Sequence, residues 1–212
     1  MQCGPIRHAA PPPASAPHDL EVIPRILSQP VPIPEGIEIQ DIFRTLAEDQ
    51  GRTVAIADET QRAVEDGRKV LVLTERTDHL DSIRRSMEEH SLEPFVLHGR
   101  MSKKQRANLV TEIDALPPDS PRILLATGRL VGEGFDHPPL DTLILAMPVS
   151  WKGTLQQYAG RLHREHADKT DVRIIDFVDT SHPALLRMWE KRQRGYHAMG
   201  YRIAEPSALE RV

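Results

Sequence analysis

Apolar residues first recur at helical spacing after residue 36, where Ile37, Ile39, Ile42, Phe43 and Leu46 share one side of a helix. Val54 to Glu65 extends the pattern to Gly67, a residue suited to the C′ position that ends a helix. Val70-Leu71-Val72-Leu73 is then an unbroken apolar run, the signature of a parallel strand buried on both faces, and Thr77 can cap a helix carrying Leu80, Ile83 and Met87. The unit returns as a strand at Phe95-Val96-Leu97, a helix capped by Ser102 that runs through Leu109 and Ile113, and a strand at Ile123-Leu124-Leu125-Ala126. Leu143-Ile144-Leu145 and Val172 to Phe177 supply two further strands, separated by a helical stretch around Thr154 to His163. Strands alternating with helices predict the α/β class, a single doubly wound parallel sheet with right-handed crossovers.

Composition changes the picture at the two ends. Half of the 18 prolines lie within the first 34 residues, so residues 1–36 are expected to be a flexible leader. Residues 37–66 read as linker helices, 67–180 as the α/β domain and 181–212 as a basic helix and tail. No secretory apolar core occurs in the leader, and no later run approaches the roughly 18 apolar residues of a membrane span, so a cytoplasmic protein without membrane partners is expected. The single cysteine, Cys3, excludes an internal disulfide and a thiolate metal cluster. The net charge of −4 conceals a gradient: Lys and Arg number 16 against 23 Asp and Glu in residues 1–149, but 10 against 6 in residues 150–202.

In open parallel sheets ligands gather beyond the carboxyl ends of the strands. Thr127-Gly128, Gly132, Gly134 and Asp136 follow the Ile123 strand, where glycines let backbone amides approach a phosphate or sugar and a carboxylate can accept from a ribose hydroxyl. Further on, Gln157-Tyr158-Ala159-Gly160-Arg161-Leu162-His163-Arg164 places Arg161 and Arg164 three apart on one helical face. Two planar guanidiniums there suit a phosphate, and a solvated basic face has the same spacing.

Taken in order, Val70 to Arg76, Leu97 to Arg106, Ile123 to Pro138 and Gln157 to Arg164 resemble motif IV, the adjoining loop and helix, motif V and motif VI of the second RecA-like domain of superfamily 2 helicases, of the DEAD/DEAH-related kind. The resemblance covers about residues 67–180. It implies that Gly134 and Asp136 border ATP, with Gln157 and Gly160 ordering the same face. Arg161 and Arg164 would then act as catalytic arginine fingers on the γ-phosphate. It further implies that Thr74, Arg76, His98, Gly99, Thr127 and Gly128 meet the backbone of one nucleic-acid strand, single or within a duplex. Backbone contact of this kind is sequence-tolerant and salt-sensitive, and nine aromatic residues in the whole chain leave little for base stacking. His163 stands where motif VI commonly has glycine.

A complete motor also needs a P-loop, G-x-x-x-x-G-K-[ST], and an acidic Mg²⁺ site on a first RecA-like domain. Neither Gly-Lys-Ser nor Gly-Lys-Thr occurs, and Asp58-Glu59-Thr60-Gln61, which imitates an acidic box, falls inside an amphipathic helix. The expected function is therefore the C-terminal half of an ATP-dependent helicase or translocase, sharing ATP with a Walker-bearing partner domain, in cis or in trans, that also holds the Mg²⁺. The alternative is a non-catalytic nucleic-acid-binding or regulatory module that retains the fold. His163 and His166 lack a third metal ligand in the sequence, and no metal site is expected. The helix from Pro183, with Arg187, Lys191, Arg192 and Arg194, either meets nucleic acid or closes the sheet with a solvated outer face.

Overall fold

The computed structural model describes residues 19–34, 36–128, 137–149, 155–164, 166, 169–205 and the backbone of 207–209. Eight strands are present among them: β1 (Asp19–Leu27), β2 (Lys69–Thr74), β3 (Phe95–Leu97), β4 (Arg122–Thr127), β5 (Thr142–Leu145), β6 (Asp171–Phe177), β7 (Arg202–Ile203) and β8 (Ser207–Leu209). The helices are α1 (Ile39–Glu48), α2 (Gln50–Glu65), α3 (Thr77–Glu89), α4 (Lys103–Asp114), α5 (Gln156–Leu162) and α6 (Pro183–Ala198). The sheet runs β3-β4-β2-β5-β6-β1-β7, with β8 also on β1, and every pairing is parallel. This is the doubly wound sheet that the apolar pattern predicts.

Alternation within each strand builds the two core layers. Val70 and Val72 of β2 join Ile123, Leu125 and Ile144 in the layer covered by α1, α2 and α3. Leu71 and Leu73 face the opposite way, with Leu124, Leu143 and Leu145, and are covered by α4, α5 and much of α6. Chain order reverses around β2, which lies between β4 and β5. The carboxyl ends of β2, β4 and β5 therefore meet at a switch point, where loops diverge and leave room for a ligand.

Two local expectations hold in detail. Gly67 adopts φ +76° after α2, and its amide and that of Arg68 reach Val64 O and Ala63 O, closing a Schellman turn. Ser102 caps α4 by accepting from Gln105 N while the Gln105 side chain accepts from Ser102 N, a reciprocal capping box. Thr77 differs: it is the first residue of α3 rather than its cap, which is Arg76, and the neighbouring amide of His79 is bound by Asp78.

The leader and the domain limits need correction. Residues 19–27, expected to be flexible, form β1, which pairs with all of β6 from Asp19 against Asp171 to Arg25 against Phe177. Its prolines mask a strand because Pro24 occupies a tolerated position. Arg25 O points toward β6, where Val178 N donates to it, whereas Val22 O points outward and accepts from Ala204 N. Pro24 shares the outward parity of Val22 and lies between β7, which pairs at residues 21 and 22, and β8, which pairs at 25 to 27. A missing N–H costs no ladder bond there. Likewise α1 and α2 pack into the core through Ile42, Leu46 and Ile56, so residues 37–66 belong to the domain rather than tether it. Asp58-Glu59-Thr60-Gln61 lies within α2, where buried Glu59 accepts from Arg25 and Arg62.

Candidate functional site

Helix α5 is amphipathic over only seven residues. Leu155, Tyr158, Ala159 and Leu162 are buried against the sheet. Gln157, Gly160 and Arg164 are exposed and Arg161 is half-buried. Gln157, Gly160 and Arg161 stand at positions i, i+3 and i+4 on the outer face of the helix, and Arg164 lies beyond its C-cap, His163, in the turn where Arg164 N donates to Arg161 O. The motif VI candidates Gln157, Gly160, Arg161 and Arg164 therefore fall on this helix and on the turn that follows it. Gly134 and Asp136 lie outside the described residues.

The expected nucleic-acid residues divide by exposure. Thr74 and Thr127 pair with each other across β2 and β4 at the carboxyl edge, both buried. The Thr74 hydroxyl shares a 3.0 Å hydrogen bond with His79 Nδ1 and accepts from Arg76 N, so its side chain is used internally. Arg76 is partly exposed and holds Asp78 through its Nε and Nη2 at 3.0 and 2.6 Å. His98 is half-buried and Gly99 exposed, on the loop between β3 and α4. That loop also lies at the carboxyl edge, one strand beyond β4.

Gly128 is buried at the end of β4. A Cβ there would collide with the Tyr158 hydroxyl and stand 2.5 Å from Glu75 Oε1. The segments that resemble motifs IV, V and VI therefore approach one another at Glu75, Gly128 and Tyr158, and sequence reasoning did not single out Glu75 or Tyr158. Desolvation raises the pKa of the Glu75 carboxyl, and burial with the nearby Glu75 charge raises that of the Tyr158 phenol, while Arg161 acts in the opposite sense. Tyr158 thus stays a neutral hydroxyl between the strand ends and the arginine face. The only sequence signal for it was an aromatic residue on the inner face of α5.

Behind the site, Arg52 of α2 is almost fully buried. It donates to Ala146 O at 2.9 Å and Phe177 O at 3.3 Å, and its Nη1 donates to both carboxylate oxygens of Asp179 at 2.8 and 3.0 Å. It ties the ends of β5 and β6 to the opposite helical layer. His79, also buried, has an Nε2 with no hydrogen-bond partner, and burial together with the Arg52 charge drives its pKa down to about 3.

Of the four cations expected on the last helix, Arg187, Lys191 and Arg194 are exposed, whereas Arg192 is buried against Asp176. Arg192 closes the sheet. His163, weighed above as a metal ligand, instead bonds Tyr201 Oη at 2.8 Å. Among the described residues no three His, Cys, Asp or Glu side chains converge as metal ligands, and no helix is long and apolar enough to cross a membrane.

The model of the helicase conserved C-terminal domain matches residues 52–166. Over 85 residues the chain is 44% identical to the uncharacterized protein 108L of invertebrate iridescent virus 3, covering 39% of this chain and 74% of that one. An uncharacterized ATP-dependent helicase of Mycoplasma pneumoniae is 25% identical over 126 residues, 59% of this chain and 12% of that protein. The structure of T4 UvsW superposes with a TM-score of 0.66 at 17% identity, over 91% of this chain and 42% of UvsW, a likeness of fold. The chain thus matches 12% of the length of the Mycoplasma protein and 42% of that of UvsW.

Proposed function

This chain belongs to the helicase conserved C-terminal domain family, and from that premise we propose that it is the second RecA-like half of an ATP-dependent nucleic-acid translocase. The observation that supports the reading is that Gln157, Gly160 and Arg164 are exposed and Arg161 half-buried on α5 and the turn after it, a helix whose inner residue Tyr158 lies close to Gly128 at the end of β4. A P-loop domain would present ATP to this face and hold its Mg²⁺. Arg161 and Arg164 would meet the γ-phosphate, and their fixed positive charge would stabilise the charge spread over the transferring phosphoryl oxygens. Gln157 and Gly160 would order and clear the approach, and by the family resemblance Gly134 and Asp136 would border the nucleotide, with Asp136 near its ribose.

Nucleic acid would run along the adjoining strand ends. Thr74 and Thr127 would contribute backbone groups, Gly128 its amide, and Arg76, His98 and Gly99 a more exposed approach to phosphates. None of these groups reads a base edge, so binding would be sequence-tolerant.

The deciding experiment measures ATP hydrolysis with saturating single-stranded DNA or RNA, for the chain alone and after joining or mixing with its Walker-bearing domain. Turnover is expected only in the second case, and Arg164→Ala should lower it by about a thousandfold or more. Turnover by the chain alone, or turnover in the mixture indifferent to both Arg161→Ala and Arg164→Ala, overturns the reading. Salt-sensitive binding without any restored turnover would instead establish the non-catalytic module.

A further inference from the structure

Helix α5 is too short to hold its own end. Seven residues provide few intrahelical hydrogen bonds, the last carbonyls of any helix lack helical partners, and a helix of this length is marginal unless tertiary contacts secure it. The end in question carries Arg161 and Arg164, so whatever secures it sets where the guanidiniums stand.

Two contacts from outside the helix secure it. Lys169, a buried residue, extends its ammonium back over the helix end and donates to Leu162 O at 2.9 Å and Arg164 O at 3.0 Å. A positive charge at that point also opposes the negative end of the helix dipole. Between those two carbonyls lies His163, the C-cap, whose ring bonds Tyr201 Oη at 2.8 Å and stacks on the Tyr201 ring with centroids 5.4 Å apart and planes at 26°. Tyr201 is itself fixed edge-on to Tyr196, whose hydroxyl donates to Asp176 Oδ2 at 2.8 Å. Asp176 is the buried partner of Arg192. An unbroken chain of contacts therefore runs from the core of α6 to the ring of His163, the position where motif VI commonly has a glycine with no side chain to grip.

We propose that Lys169 and Tyr201 are positioning residues for the arginine face of α5. Lys169 fixes the backbone on both sides of His163 and Tyr201 fixes the His163 ring, so that Arg161 and Arg164 meet a polyphosphate in one prepared arrangement. The ligand half of this inference rests on the reading of the two arginines as phosphate-binding; the clamp itself rests on the contacts above.

The full chain can be tested with inorganic tripolyphosphate as the probe, by calorimetric titration at low salt, alongside amide hydrogen exchange over residues 159–164. Lys169→Met should speed exchange there and weaken tripolyphosphate by about tenfold each, as loss of two hydrogen bonds to one charge implies. Exchange in β2 and β4 should be unchanged. Lys169→Arg, which keeps a cationic donor, should recover most of both effects. Tyr201→Phe keeps the ring stack and removes one hydroxyl, and should give a smaller loss of the same kind; it also serves if Lys169→Met fails to fold. Unchanged exchange and affinity in Tyr201→Phe and in whichever Lys169 variant folds, with affinity still dependent on Arg161 and Arg164, would overturn the positioning role and leave the arginine reading standing. Affinity indifferent to Arg161→Gln and Arg164→Gln would overturn the arginine reading and the ligand half of the inference, while exchange would still decide the clamp.

Discussion

Arg192 and Asp176 form a bidentate pair, Nε to Oδ2 at 2.8 Å and Nη2 to Oδ1 at 3.1 Å, with both side chains sealed from solvent. Tyr196 donates a third hydrogen bond to the same carboxylate, and Arg192 also reaches Val149 O. The pair joins α6 to β6 and to the segment that follows β5.

Breaking such a pair leaves a charge buried without compensation. Arg192→Met is expected to destabilise the fold by about 3–5 kcal/mol. Joint replacement of Arg192 by Met and Asp176 by Asn should cost less than the sum of the single changes, because the orphaned charge disappears. Urea unfolding of the three variants checks this, and strict additivity would contradict it.

Gly128 lies under Tyr158 and Glu75 with no room for a methyl group. Gly128→Ala should destabilise by about 1–3 kcal/mol through overpacking. Adding Tyr158→Phe, which removes the nearest atom, should recover part of that loss. Thermal unfolding of the single and double variants measures the recovery, and its absence would place the strain elsewhere.

Gly67 presents a different case, since nothing lies within 4 Å of its would-be Cβ but its φ is +76°. Gly67→Ala should therefore cost about 1 kcal/mol from backbone strain alone. Gly67→Asn, which tolerates the left-handed region better, should cost less. Chemical denaturation ranks the three chains.

His79 gives the fold a defined acid response. Its folded pKa of about 3 lies below the ordinary value of 6.5 because burial and the Arg52 charge disfavour the imidazolium. The unfolded chain therefore binds the proton more readily. The neutral ring's contribution is fully present above pH 6.5 and is lost as pH falls toward 3, at about 1.4 kcal/mol per pH unit once the unfolded histidine is protonated. Stability should drop by about 2 kcal/mol between pH 7.5 and pH 5 from this group. His137 and His163 shift in the same direction, also chiefly from burial. His79→Gln should flatten the pH dependence of the urea midpoint; an unaltered slope would assign it to other groups.

Arg76 and Asp78 set up a competition at the strand ends. Asp78 accepts from Arg76 at 2.6 Å, and the same guanidinium is partly exposed two residues after Thr74. Arg76→Ala should weaken binding of single-stranded nucleic acid and lower the salt slope by about one or less. Asp78→Asn should strengthen binding by releasing the cation. Fluorescence anisotropy across a salt series distinguishes these outcomes, and parallel changes in both variants would remove Arg76 from the interface.

The sequence by itself determined the central strands, the capping box at Ser102, the turn at Gly67 and the helix that carries Gln157, Gly160 and Arg161. Each follows from residues close in the chain: an apolar run buried on both faces, a side chain three residues from an amide, a helical period. Only the tertiary structure decided the rest. β1 is hidden by its prolines until β7 and β8 leave a gap for Pro24, a condition set about 180 residues away. Arg192 looks like any exposed cation on a basic helix until β6 brings Asp176 beneath it. The contact of Tyr158 with Gly128 and Glu75, and the bond between His163 and Tyr201, join segments that become neighbours only when the sheet assembles. Burial and partnership are properties of the packed chain, and local pattern carries no record of which distant group will arrive.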